Sequence, residues 1–162
     1  MQIDPSADNK ILPFAVEAAW VTGRWETLSK FTGRFQEDLT QDFNMSVASL
    51  FDSLYRHYGT ESFDKAMQGM QDKIASSMTA SATASLNAAH EILLKCHVLT
   101  DLEVIVNTKP GNDDERRRTL GLLDGRLELI GGRFGDKQYL LGIRRAAMEL
   151  SRYAHGRVHV FW

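Results

Sequence analysis

Apolar residues recur every three or four positions along most of the chain, and this spacing constrains the fold more than any other feature of the sequence. Runs of alternating β-branched residues, which would indicate strands, are nearly absent. Only three prolines interrupt the 162 residues, at Pro5, Pro13 and Pro110. The sequence therefore predicts an all-α protein.

Glycines and polar clusters divide this pattern into about seven helices with short connections. The first is expected to begin at Pro13, because proline suits the first turn of a helix. Its predicted buried face consists of Phe14, Ala18 and Val21. Trp20 lies at the edge of that face. The predicted buried residues of the other helices are, in chain order, Trp25, Leu28 and Phe31; Val47, Leu50, Leu54 and Tyr58; Phe63, Ala66, Met67, Met70 and Ile74; Leu86, Ala89, Leu93, Leu94, Leu102 and Ile105; Leu120, Leu123, Leu127 and Ile130; Tyr139, Leu140, Ile143, Ala147 and Leu150.

The predicted helix boundaries rest on capping and turn residues. Gly33 is expected to be a C-cap, Ser62 an N-cap, and the longest helix is expected to run from about Ser85 to Val106. The stretch NTKPGNDDERRR (107–118) is predicted as a loop and GGRFGD (131–136) as a turn. Helices joined so closely form antiparallel pairs, so we predict helical hairpins stacked as a segment of a solenoid of the TPR or HEAT type.

Two tryptophans, Trp20 and Trp25, lie five positions apart with Thr-Gly-Arg immediately before the second. They could form an exposed aromatic platform for a ligand, or the two sides of a turn between packed helices. Because the amphipathic pattern already includes both positions and Gly23 allows a close turn, we favour the second interpretation. We call residues 20–25 the knuckle.

Composition excludes several classes of protein. The formal net charge of −2 and the isoelectric point near 6.2 give no argument for binding nucleic acid or an anionic membrane surface. A single cysteine, Cys96, rules out an internal disulfide framework and fits a reducing compartment. No apolar run approaches the roughly 20 residues needed to span a bilayer, and the first ten residues do not read as a secretory signal.

Glycine clusters in the last third of the chain invite comparison with phosphate-binding loops. The segment GGRFGDK (131–137) does not match the dinucleotide pattern GxGxxG, and it lacks the Gly-Lys-Ser/Thr ending of a P-loop. No predicted strand precedes it. A turn between two helices is the better interpretation.

Histidine and cysteine side chains occur close together on the long helix, and we considered whether they form a metal site. His90, Cys96 and His97 could be joined by Asp101 or Glu103, but the paired spacings typical of zinc sites are missing. We therefore interpret the two histidines as half-buried packing residues and predict no metal site.

The sequence also gives little indication of a nucleophilic catalytic site at Cys96. His97 follows Cys96 directly, so on a helix the two side chains point about 100° apart. His155 and His159 have a chelating spacing, but Gly156 and the nearby chain end weaken that interpretation. The arginine clusters 116–118 and 144–145 are interpreted as a solvated loop and intrahelical ion pairs. The sequence predicts no catalytic or cofactor-binding residue in this chain.

Three stretches in the same order resemble the FAT domain of phosphatidylinositol 3-kinase-related protein kinases, particularly the ATR-type checkpoint kinases. The first is FAVEAAWVTGRWETLSKF, with Ala-Trp before the turn and Trp-Glu-Thr-Leu after it. The second is LNAAHEILLKCHVLTDLEVIV, and the third combines LLDGRLELI with YLLGIRRAAMEL. Together they cover roughly residues 12–152.

The resemblance implies a division of the chain into a tail (1–12), a FAT-like helical segment (13–152) and a C-terminal tail of uncertain structure (153–162). It also implies a set of structural residues in the knuckle and the helix packing: Trp20, Gly23, Trp25, Leu28, Leu127, Glu128, Arg144 and Arg145. No catalytic motif of these kinases falls within the resemblance, so no catalytic residue is carried over.

The function implied by the resemblance is that of a scaffold and regulatory segment in a nuclear Ser/Thr protein kinase of the DNA-damage response. Its partners would be the rest of the kinase chain and a regulatory protein subunit, with no direct contact to nucleic acid or membrane. ATP and magnesium would bind to the parent kinase and not to this segment. The alternative is a stand-alone helical-repeat adaptor that binds a partner peptide or helix.

Overall fold

The computed structural model describes residues 5–34, 42–56, 61–81, 85–109 and 111–158. These residues form α-helices and short connections, and none of them lies in a β-strand. The helices of the described ranges are α1 (Pro5–Val21), α2 (Trp25–Arg34), α3 (Phe43–Arg56), α4 (Glu61–Ser81), α5 (Leu86–Asn107), α6 (Asp113–Leu129) and α7 (Phe134–Val158). The all-α prediction is confirmed. No helix in these ranges is long and apolar enough to cross a membrane.

The chain divides into two compact units, residues 1–66 and 67–162. In the first unit, α1, α2 and α3 pack against one another in pairs. In the second unit, α5 packs against α7 along much of its length and against α6 more locally. Each unit therefore has an apolar core of its own.

The core of the first unit is formed mainly by α1, α2 and α3. Its buried apolar residues are Leu12, Val16, Ala19, Trp20, Trp25, Leu28, Met45, Val47, Ala48, Leu50, Phe51 and Leu54. An acidic cap helps to begin α3, since the amide of Met45 donates to Oδ1 of Asp42 at 3.1 Å. The side chain of Asn44 also donates to Oε2 of Glu17 at 3.1 Å and ties α3 to α1.

The predicted face and start of α1 are wrong. Phe14 and Val21 are 72% and 38% exposed and Ala18 is also exposed, whereas Trp20 is buried. Apolar residues occur nearly all round this helix, so periodicity alone does not determine which face is buried. In the structure, the buried face is the one that carries the large indole of Trp20. The helix also begins at Pro5, so Pro13 lies inside it. A proline there removes one backbone hydrogen bond without ending the helix.

The core of the second unit lies mainly between α5 and α7. Its buried apolar residues on α5, α6 and α7 are Ile92, Val98, Leu99, Leu102, Ile105, Leu123, Leu140, Ile143, Ala146, Ala147 and Leu150. On α4, the predicted residue Phe63 is buried in the first unit, and the predicted residues Met67, Met70 and Ile74 are buried in the second. Three predicted core residues are exposed instead: Leu86, Leu93 and Leu120.

Several predicted boundaries shift. Gly33 lies inside α2 and Ser62 inside α4, so neither is a cap. Ser85 is the N-cap of α5, with its side chain accepting from the amide of Ala88 at 3.1 Å. The predicted loop 107–118 shortens because α6 begins at Asp113, and the clustered arginines that follow are therefore helical.

The early start of α6 has a local cause. The side-chain oxygen of Asn112 accepts from the amides of Asp114 and Glu115, each at 3.2 Å. Three acidic residues occupy the first turn, where negative charge is favourable to the helix dipole. The predicted core residue Tyr58 lies outside the described residues.

Candidate functional site

The knuckle is a tight helix–turn–helix between α1 and α2. The amide of Arg24 donates to the carbonyl of Ala19 at 2.8 Å, and the amide of Gly23 donates to that of Trp20 at 3.2 Å. These two bonds form a Schellman motif, whose C′ residue adopts a left-handed conformation. Gly23 occupies that position with φ 68°. A residue without Cβ is therefore favoured at this one point of the turn.

Both tryptophans face inward and meet the same ring of α3. The ring centroids of Trp20 and Phe51 lie 5.5 Å apart, and those of Trp25 and Phe51 lie 6.0 Å apart in an edge-to-face arrangement. Trp20 and Trp25 are 1% and 5% exposed, and Leu28 is fully buried. The indoles therefore join three helices in the core, and neither offers a surface on which a ligand could stack.

A polar cluster beside these rings ties α2 to α3. Asp52 accepts from the hydroxyls of Ser29 at 2.6 Å and Thr32 at 3.0 Å. Arg56 binds the same carboxylate at 3.0 Å and donates from Nη2 to the carbonyl of Ser29 at 3.1 Å. Because hydrogen bonds depend on direction, this cluster fixes the alignment of α2 with α3.

The resemblance marked four residues of the second unit as structural, and these four differ in burial. Arg144 is buried, Leu127 is half-buried, and Glu128 and Arg145 are exposed. The intrahelical pairing predicted for Arg144 is wrong, because its partner Asp101 belongs to another helix. Arg144 lies on the face of α7 that also carries the buried Leu140 and therefore meets α5.

Asp101 is the centre of a buried charged cluster between α5, α6 and α7. Its side chain is fully buried and accepts from Nε of Arg126 and from Nε of Arg144, each at 2.7 Å. Nη2 of Arg126 lies 3.0 Å from Nδ1 of His97. Nη2 of Arg144 is buried with no hydrogen-bond partner. One carboxylate thus faces two guanidinium groups, and both contacts are charge-assisted hydrogen bonds.

His97 is held in its neutral form by this cluster. Burial lowers the pKa of its imidazole, the positive charges of Arg126 and Arg144 lower it further, and Asp101 acts in the opposite direction. An arginine can only donate, so Nδ1 of His97 accepts the hydrogen bond from Arg126 and carries no proton. Protonation of the ring would remove that bond.

Sequence reasoning missed the roles of Phe51 and Asp101. Phe51 continues the stripe of Val47 and Leu54 at helical spacing, which is a usable signal. The sequence pattern presents Asp101 only as a possible metal ligand. Its position between Val98 and Leu102, on the buried stripe of α5, marks a carboxylate that must find a partner inside.

The residues considered for metal binding and catalysis have other roles or no shared site. Nε2 of His90 lies 2.6 Å from Oδ2 of Asp136, linking α5 to the start of α7. Cys96 is half-buried, and its carbonyl accepts from the hydroxyl of Thr100 at 2.9 Å. Among the residues that the structure describes, no three acidic, histidine or cysteine side chains are grouped to hold a metal ion. His155 and His159 have no described side chains.

Comparison with known proteins matches the sequence of this chain to a protein family. The FAT domain family model matches residues 12–160. The chain is 24% identical over 154 residues to the serine/threonine-protein kinase MEC1 of Kluyveromyces lactis, covering 91% of this chain and 7% of that protein. No solved structure matches the chain. Since the family model spans nearly the whole sequence, the chain belongs to the FAT domain family.

Proposed function

We propose that this chain is a scaffold and regulatory segment of an ATR-type checkpoint Ser/Thr protein kinase that acts in the nucleus during the DNA-damage response. The family membership and the similarity to MEC1 support this proposal. The chain spans about 7% of the length of that relative. Phosphoryl transfer, with ATP and magnesium, would therefore belong to a kinase domain outside these residues.

Exposed apolar pairs on the second unit carry the proposal. Each pair is spaced seven residues apart, so its two members share one face of a helix. The pairs are Leu86 and Leu93 on α5, Leu122 and Leu129 on α6, and Phe134 and Leu141 on α7, with exposures between 48% and 86%. In helical-repeat proteins, such faces are covered by neighbouring repeats. The rest of the kinase chain, and a regulatory protein subunit, would supply that cover.

The contacts between helices support the proposed regulatory role. Asp101, Arg126 and Arg144 form an internal cluster that joins α5, α6 and α7. A set of helices joined in this way can pass a displacement at one partner surface to another. We infer that it links partner binding to the activity of the kinase domain.

An epitope tag inserted in the native gene at Gly111 tests the proposal. Gly111 is exposed in the short loop before α6, where an insertion should be tolerated. We expect a tagged polypeptide more than about tenfold heavier than 18.3 kDa, as the 7% coverage implies. Its immunoprecipitate should phosphorylate a peptide with a Ser-Gln site and spare the matched Ala-Gln peptide.

A tagged band near 18.3 kDa without kinase activity would contradict the proposal. The chain would then be a free helical-repeat adaptor. A heavy band that phosphorylates neither peptide would keep the family assignment and refute the checkpoint-kinase function. An untagged strain controls for kinases that bind the resin.

A further inference from the structure

A cleft of about 330 Å³ opens in the second unit, where the end of α5, the start of α6 and the later part of α7 meet. Its apolar lining comes from all three helices: Ile105 on α5, Leu120 on α6 and Met148 on α7. Ile105 is buried, Met148 is half-buried and Leu120 is 39% exposed. The cleft therefore has an apolar floor that solvent reaches.

Three positive side chains surround that floor. Lys109, Arg116 and Arg152 line the cleft, all three are exposed, and no carboxylate is among the lining residues. Within the described part of the chain, neither Arg116 nor Arg152 forms an ion pair with a carboxylate. We call this site the basic cleft.

The three acidic residues at the start of α6 do not line the cleft. Asp114 lies 3.9 Å from Nη1 of Arg117, and Oε1 of Glu115 accepts from the backbone amide of Lys109 at 3.3 Å. Asp113 lies in the first turn of α6, where the helix dipole favours it. The cleft thus keeps an excess of positive charge although the whole chain has a net charge of −2.

The wall of the cleft is organised before any ligand arrives. The hydroxyl of Thr108 donates to the carbonyl of Val104 at 2.7 Å and lies 3.0 Å from that of Thr119, which joins α5 to α6. Gly111, with φ 85°, turns the chain between these helices. The part of the wall that α5 and α6 form is therefore held in place by this hydroxyl pair.

We propose that the basic cleft binds a peptide segment of a partner protein in which acidic side chains flank an apolar one. The apolar side chain would rest on Ile105, Leu120 and Met148, and the carboxylates would pair with Arg116 and Arg152. A volume near 330 Å³ is at the small end of ligand pockets and suits one or two side chains. The proposal rests on the lining residues alone and does not depend on the kinase assignment.

Fluorescence anisotropy with the full 162-residue chain and labelled peptides tests this inference. The probe has the core Glu-Leu-Glu, and its matched controls have Gln-Leu-Gln and Lys-Leu-Lys. We expect the acidic peptide to bind at least about tenfold more tightly than the Gln peptide. Its affinity should fall as salt rises from about 0.05 to about 0.3 M, because the rim charges are exposed.

Matched variants locate the binding. Arg116→Glu should weaken binding of the acidic peptide by about tenfold or more, and Arg152→Glu should do the same. Arg118→Glu makes the same charge change two residues along α6, at an exposed position that does not line the cleft, and should have a small effect. Circular dichroism spectra that match the wild type show that the variants are folded.

Three results would overturn the inference. The first is equal binding of the acidic and Gln peptides, and the second is an equal loss in the Arg116→Glu and Arg118→Glu variants. The third is displacement of the peptide by inorganic phosphate but not by acetate at the same ionic strength. That last result would assign the cleft to a phosphorylated ligand instead of a carboxylate.

Discussion

At the scale of single residues, Asp101 shows how much one buried charge can control. It is the only negative partner of Arg126 and Arg144 among the described residues, and it joins three helices. A buried ion cluster adds little net stability over a well-packed apolar one, but breaking it leaves charge without compensation. The residue is thus required for the arrangement around it.

We expect Asp101→Asn to lower the free energy of unfolding by about 3 kcal/mol, because Arg144 would keep its charge in a buried place. Asp124→Asn removes an exposed carboxylate from α6 and should change stability by less than about 0.5 kcal/mol. Urea denaturation followed by circular dichroism compares the two. Equal effects would mean that Asp101 contributes no more than a surface charge.

His97 should make stability depend on pH in one direction. Because burial and the neighbouring arginines lower its pKa in the folded chain, the unfolded chain binds the proton more readily. The contribution of His97 is therefore complete above its ordinary pKa of 6.5 and declines as the pH falls below that value. Thermal melts between about pH 7.5 and pH 5.5 should show the decline.

His97→Gln is the control for that titration. The glutamine side-chain oxygen can still accept from Arg126, but it does not titrate. The difference in melting temperature between wild type and variant should therefore widen in favour of the variant as the pH falls below 6.5. A constant difference across that range would show that His97 does not titrate differently in the two states.

At the scale of helices, the knuckle determines how the chain passes from α1 to α2. Its backbone bonds need a left-handed residue at Gly23, while the side chains of Trp20 and Trp25 pack on Phe51. The turn and the core contact are thus parts of the same local arrangement.

Gly23→Ala should destabilise the chain by roughly 1–2 kcal/mol, since a residue with Cβ is strained at this φ. Gly23→Asn should cost less, because asparagine tolerates the left-handed region. Gly125→Ala is the matched control: this glycine lies inside α6 with open space around it, so alanine should be neutral or stabilising. Thermal melts of the three variants rank them, and a Gly23→Ala variant as stable as wild type would refute the requirement for glycine.

At the scale of the whole molecule, the exposed apolar pairs indicate surfaces that other protein covers. Scattered exposed apolar residues are common, but pairs on one face of each of three helices are a stronger signal. An isolated chain with such faces should bind to itself.

We expect the 162-residue chain alone to sediment partly as oligomers at micromolar concentration. Leu122→Gln combined with Leu129→Gln should shift it toward monomer, because both side chains are exposed and lie on one face of α6. Sedimentation velocity measures the shift, and Asp124→Asn provides a folded control on the same helix. A wild-type chain that stays monomeric would contradict the proposed covered surface.

The sequence by itself determined the helical class, the number of described helices, the turn at Gly23 and the buried stripes of α3 and α4. These features follow from local spacing, because a helix must place an apolar residue every three or four positions to bury one face. The ordered family motifs were readable for the same reason. These motifs are continuous in sequence, so they can be recognised without knowing which helices contact each other.

Only the tertiary structure decided the rest. The buried face of α1 depended on which of two apolar stripes met α3, and the partners of Asp101 come from residues 25 and 43 positions away. The basic cleft likewise combines residues from three helices. Such contacts depend on packing between distant segments, and the free energy of burying a side chain is set by its neighbours in space and not by those in sequence.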